Sequence, residues 1–141
     1  MTFDRRSLLL ATGGLLATPA LAQDFPNRPV RIVVPFPPGG TTDLLARLFA
    51  QRMTETMGQS VVVENRGGGG GSIGADVVAK AAPDGYTLLF HNITFPTTTA
   101  TLTLAGRPPH DIERDFAPLS LGANVPLIVL ANPSVPVADL K

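Results

Sequence analysis

Val30–Pro35 (VRIVVP) is a nearly continuous apolar run rich in β-branched residues, and Phe36-Pro37-Pro38-Gly39-Gly40 follows it. An apolar run without polar alternation suits a strand covered on both faces, as inside a parallel sheet. The period changes after the loop. Leu44, Leu45, Leu48, Phe49, Met53 and Met57 recur at helical spacing until Gly58. A glycine at that place ends a helix by adopting the left-handed conformation. Thr41 or Thr42 is the expected cap, Asp43 favours the first turn, and Asp43 with Arg47 forms an expected i,i+4 pair on the helix surface.

The alternation then repeats. Val61–Asn65 (VVVEN) reads as a second strand and Arg66–Gly71 as a glycine-rich turn. Ser72 is the expected cap of a second helix, Ile73–Ala82, stopped by Pro83. After the Pro83-Asp84-Gly85 turn, Tyr86–His91 (YTLLFH) reads as a third strand. Strands alternating with helices imply βαβ crossovers, so the fold class is α/β with a parallel sheet. Asn92–His110 holds six threonines between Thr94 and Thr103. Threonine is a weak helix former, so irregular or marginal helical structure is expected there. Asp111, Glu113 and Asp115 read as a solvated turn. Phe116–Ala123 and Leu127–Ala131 read as two further strands, and Val137–Lys141 begins an element that the chain does not finish.

The N-terminus reads as an address. Arg5 and Arg6 precede an apolar Ser7–Ala17, and Ala20-Leu21-Ala22 supplies a small-x-small cleavage site. This is the three-part secretory signal pattern, with cleavage after Ala22 and a mature chain from Gln23. Arg5-Arg6-Ser7-Leu8-Leu9 fits either an ordinary signal or a twin-arginine motif.

Composition removes several functions. Lys+Arg and Asp+Glu are both 11, so no basic excess points to nucleic acid. Cysteine is absent, which excludes disulfides, thiolate metal sites and cysteine nucleophiles. The 2 histidines, His91 and His110, have no zinc-site spacing, and neither glycine loop carries Gly-Lys-Ser/Thr. Ser72 lacks the G-x-S-x-G context of a hydrolase nucleophile. No metal or cofactor is expected.

Each glycine-rich loop follows a strand and opens a helix. Ligands of open α/β sheets bind outside the carboxyl ends of the strands, and free N–H groups at helix N-termini favour an anion. In the first loop Pro37 and Pro38 have no N–H to give. An anion site there would use Phe36 and Gly39, Gly40, Thr41, Thr42 and Asp43; the same residues also suit a tight strand–helix turn without a ligand. Gly69–Gly74 fits G-x-G-x-x-G, but it follows the second strand, and His91-Asn92 after the third offers no acid for a ribose. His91 either faces a ligand or is structural.

These segments, in this order, resemble the substrate-binding receptors of tripartite tricarboxylate transporters, the Bug family. The resemblance is carried by Arg28–Asp43, Gly58–Arg66, Gly74-Ala75, Ala81–Leu89, Asp115-Phe116-Ala117-Pro118 and Asn132-Pro133-Ser134. It implies a type II periplasmic-binding-protein fold whose two domains close on a small carboxylate, held chiefly by backbone amides and ordered waters. It further implies a periplasmic location and membrane components of the transporter as partners. The loop matching the family's first-domain site is Phe36–Asp43, and His91, Asn92 and Thr94 would line the same cleft. Family members are much longer, so the second domain is expected to be largely missing from these 141 residues. The alternatives are an exported α/β enzyme using the first loop as an anion cradle, and a truncation product without function.

Overall fold

The computed structural model describes residues 24–126 together with Leu130 and Asn132. The expected signal segment, most of the expected strand Leu127–Ala131, Pro133-Ser134 and Val137–Lys141 lie outside the described residues.

A parallel sheet in which Val61–Asn65 and Thr87–Leu89 flank Val30–Val34 organises the chain. Its strands are β1 (Val30–Val34), β2 (Val61–Asn65) and β3 (Thr87–Leu89). β1 is central, with Val30 facing Val61 in register on one side and Arg31 facing Thr87 on the other. The first crossover is α1 (Thr41–Met57), and the second is a short 3-10 turn, Gly69–Gly71, leading into α2 (Ser72–Ala79). The apolar run of β1 is accounted for by burial on both faces. Val30, Ile32 and Val34 form the core with Ala46, Ala50 and Val61 on the α1 side. Val33, fully buried, points to the other face, where α2 brings a fully buried Ala75.

α1 turns small residues to the sheet. Thr42, Asp43, Ala46 and Ala50 are buried, whereas Leu44 and Leu48 stay more than half exposed. The large apolar residues that mark its helical period therefore do not mark its packed face. Gly58 ends the helix at φ 67, as expected. The cap differs from expectation: Gly40 occupies the N-cap position, and Thr41 and Thr42 lie inside the first turn. Ser72 likewise opens α2 from within, behind Gly71. α2 ends at Ala79 rather than Ala82, ahead of Pro83, which in a continued helix could not donate to the Ala79 carbonyl and would clash with it. The third strand is shorter than Tyr86–His91, although Arg31 N–H still donates to Tyr86 O (2.8 Å) and Phe90 N–H to Val33 O (3.0 Å).

Two regions depart further from the sequence reading. The threonine-rich stretch forms α3 (Thr94–Leu104), an 11-residue helix. Thr97, Thr99, Thr101 and Thr103 each donate their hydroxyl back to a carbonyl one turn earlier, which satisfies it inside the helix. The expected strand Phe116–Ala123 does not form. Pro118 removes a ladder donor, and Leu119 and Leu121 are exposed rather than packed on a partner. Before it lies α4 (Ile112–Asp115), capped by Asp111, which accepts from Glu113 N–H and Arg114 N–H (both 3.1 Å). Asp115 pairs with Arg114, so two of the three acids in this segment serve local structure.

Candidate anion-binding site

The β1–α1 loop and the β3–α3 connection leave the same carboxyl edge of the parallel sheet, where loops of such sheets gather around ligands. In the first loop Gly39 takes φ +87, a conformation open to glycine, and Gly40 returns to an extended one. The first intrahelical bond of α1 runs from Leu44 N–H to Gly40 O (2.9 Å). The amides of Thr41, Thr42 and Asp43 precede it, and no side chain among the described residues caps them. These donors sit at the positive end of a 17-residue helix.

Phe36, Pro37, Pro38, Gly40, Thr41, Thr42 and Asn92 line an open cavity of about 330 Å³ at this helix end. The Asn92 carboxamide is held in one orientation. Its Oδ1 accepts from Thr94 N–H (3.0 Å) and Thr94 Oγ1 (2.7 Å), so its Nδ2 faces Thr42 Oγ1 at 3.3 Å. That contact ties the third-strand wall to the first. A larger groove of about 490 Å³ runs between α1 and β2, past Arg47, Gln51, Glu55 and Val62. It has no uncapped helix end, and its Arg47 is already paired with Asp43, so the smaller cavity is the better anion site.

The remaining candidate residues stand around the cavity rather than on its wall. Asp43 is an ion-pair partner of Arg47 as expected, but the pair is not wholly a surface one, since Asp43 is 2% exposed. Its Oδ2 accepts from Arg47 Nε and from Gly39 N–H (both 2.9 Å), and its Oδ1 from Asn65 Nδ2 (2.9 Å). The Arg47 hydrogen bond, then the Gly39 amide and Asn65, hold this carboxyl well below the usual carboxylate range. Asp43 is thereby charged and fully engaged within the fold.

His91 packs behind the loop. Its ring meets Phe36 edge-on at 5.1 Å and Phe95 at 4.9 Å, and its Nδ1 accepts from Asn92 N–H (2.9 Å). Burial pushes it below the ordinary histidine value. A Cβ on Gly71 would come within 2.5 Å of its Nε2, and one on Gly74 within 2.7 Å of Pro35 Cβ. Close packing against His91 after the third strand and against Pro35 at the end of β1 thus accounts for these two glycines of the G-x-G-x-x-G pattern.

Asn65 was not among the residues singled out from sequence. It closes β2 at the carboxyl edge of the sheet, the place from which ligand loops emerge, and that position was the available signal.

Comparison with known proteins identifies the family. The model of the family described as tripartite tricarboxylate transporter family receptor (TctC) matches residues 45–141. Protein BugT of Bordetella pertussis is 42% identical over 133 residues, covering 94% of this chain and 40% of BugT. A protein of Agrobacterium vitis from the TAR-I ttuE-ttuC' intergenic region is 48% identical over 126 residues, covering 88% of this chain and 35% of its own. The chain belongs to the tripartite tricarboxylate transporter receptor family. It spans 40% and 35% of the length of these two relatives. Among solved structures, the periplasmic binding protein BugD is 57% identical over 46% of this chain and 22% of its own, with a TM-score of 0.45. MatC from Rhodopseudomonas palustris with bound malate is 52% identical, with the same coverage and TM-score.

Proposed function

We propose that this chain carries one wall of a periplasmic receptor site that captures a small carboxylate for a tripartite tricarboxylate transporter. The observation that carries the reading is the run of uncapped amides at Thr41, Thr42 and Asp43, opening into a cavity between Phe36 and Asn92. A carboxylate placed there accepts backbone N–H groups at the positive end of α1 without needing a charged side chain. Membership of a receptor family supports transport rather than turnover. In this reading Phe36, Gly40, Thr41, Thr42, Asn92 and the backbone amide of Asp43 meet the ligand, and the Asp43 carboxylate does not. Gly39, Asp43, His91 and Thr94 hold those residues in place. Residues 1–22 serve as the export signal. The membrane components of the transporter are the partners.

A thermal-shift series of the purified chain with mono-, di- and tricarboxylates tests the proposal. A ligand bound by the native state alone raises stability by RT ln(1 + [L]/Kd), so at about a hundred times Kd the gain is ~2.7 kcal/mol. A saturable rise with one acid, absent with its amide or methyl ester, supports the reading. Identical transitions with and without every acid refute it for this chain.

A further inference from the structure

We propose that Asn65 is the positioning residue of the anion site: its single carboxamide clamps both ends of the β1–α1 loop to the end of β2. This rests on the carboxylate reading of that loop. The side-chain Nδ2 donates to Phe36 O (3.0 Å), where the loop leaves β1, and to Asp43 Oδ1 (2.9 Å), in the first turn of α1. Its Oδ1 accepts from Arg47 Nη2 (3.2 Å). Both Nδ2 contacts are to acceptors, a carbonyl and a carboxylate, so the orientation of the amide follows from chemistry.

The clamp continues through Asp43. Its other oxygen accepts Gly39 N–H (2.9 Å) in the middle of the loop. Asn65 thus reaches the start of the loop directly, the helix end through Asp43, and the Gly39 turn through the same carboxylate. Asn65 stands opposite Val34 in the β1–β2 register, and Arg66 N–H continues the ladder to Val34 O (2.8 Å). The anchor is therefore a strand end, not another loop. The residues between its two contacts include Gly39 and Gly40, which lack side-chain restraint, and they aim the uncapped amides. A set of amides serves as an anion site when its donors are preorganised, and Asn65 supplies that preorganisation.

Two substitutions separate positioning from bulk stability. Asn65→Asp keeps the shape and the acceptor toward Arg47, but it loses both protons and sets a second carboxylate against Asp43. Asn65→Ala removes all three bonds. In the chain without ligand, Gly39 N–H exchange followed by NMR should accelerate in both variants, while amides of the β1–β2 ladder keep their protection. Carboxylate affinity should fall about tenfold in Asn65→Ala, the low end of what loss of an orienting outer partner costs at a metal site. It should fall further in Asn65→Asp. Gly58→Ala, at the far end of α1, supplies a destabilised control whose affinity should not change. Unaltered Gly39 exchange, or an affinity loss no larger than in the Gly58→Ala control, would overturn the proposal. If the unsubstituted chain binds no carboxylate but Gly39 exchange still responds to Asn65, the ligand reading fails and the clamp itself stands.

Discussion

Gly74→Ala is the substitution whose sign depends most on the packing of the two glycine loops. Gly74 lies in α2, where alanine is ordinarily better than glycine by about 1 kcal/mol. From helix propensity alone the change stabilises. The packing argues the opposite. A Cβ at this position would sit 2.7 Å from Pro35 Cβ, 2.8 Å from Arg66 O and 2.9 Å from Pro35 Cα. Two of these atoms are backbone and the third belongs to a proline ring, so no side chain can rotate away. α2 must retreat from the end of β1 by roughly 0.7 Å to restore ordinary contact, and overpacking of this kind costs about 1–3 kcal/mol. We place the cost at the upper end because the resisting atoms are rigid. After subtraction of the propensity gain, a net loss of about 1–2 kcal/mol is expected. At roughly 4–8 °C per kcal/mol for a domain of this size, the midpoint falls by about 5–15 °C. The chain has no tryptophan, so far-ultraviolet circular dichroism during urea and thermal denaturation is the suitable assay. Gly74→Val should be worse than Gly74→Ala, because its added methyls meet the same wall and β-branching disfavours the helix. An alanine variant as stable as the parent, or more so, would refute the packing argument.

Further outcomes follow from single sites. Val33→Ala deletes methyls from a fully buried position on the α2 face of β1 and should cost about 2–3 kcal/mol, read as a lower urea midpoint at unchanged slope. Acidification should weaken the fold as the histidines begin to titrate. Burial holds both His91 and His110 below their ordinary value of about 6.5, so the unfolded chain takes up protons first. Their contribution is therefore present above about pH 6.5 and is lost as pH falls from there through the folded-state values. Denaturation midpoints at pH 7.5 and 5.5 should show this loss, and His110→Phe should reduce it; a midpoint that rises on acidification would contradict the assignment.

The tautomer of His110 gives that pH argument its structural basis. Thr99 Oγ1 has one proton, and it goes to Phe95 O at 3.0 Å. The 3.1 Å contact between Thr99 Oγ1 and His110 Nε2 therefore needs the proton on Nε2. Nδ1 is then a bare lone pair, buried without a partner among the described residues. An unpaired acceptor is tolerable, whereas protonation would turn it into a buried donor with nowhere to point. The ring also stacks on Phe95 at 5.5 Å and meets Phe116 edge-on at 5.3 Å, so it has apolar neighbours on several sides. Asp76 and Asp115 oppose this through their charge, but burial outweighs them.

The parallel α/β plan was legible because β1 and β2 carry it locally. VRIVV and VVVEN are β-branched runs bounded by turn residues, and both form strands over those residues. The first turn of α1 was misread because threonine before an acidic residue suggests a cap, while Gly40 takes that place. α3 was legible only as one of two alternatives, irregular or marginally helical, for a different reason. Intrinsic propensity counts threonine against a helix, but four hydroxyls fold back onto the helix itself, and Thr98 Oγ1 finds Gly70 O (3.2 Å) on the second glycine loop. That last contact spans distant sequence and leaves no trace in the local pattern.

The site divides along the same line. Donors on the backbone show in sequence, because glycines after a strand and before a helix mark where amides are free. What holds those amides does not show, because it depends on contacts between separate segments. Asn65 is 29 residues from Phe36 and 22 from Asp43, and only the parallel register of β2 beside β1 brings them together. The same holds for Asn92, whose bond to Thr42 depends on β3 lying on the other side of β1. A backbone anion site on this fold can therefore retain its donors while side chains on the flanking strands change. Asn65 and Asn92 approach the loop from opposite sides, Asn65 fixing its geometry and Asn92 facing the cavity. Substitution at Asn65 should then weaken every carboxylate alike, whereas substitution at Asn92 should change which carboxylate is preferred.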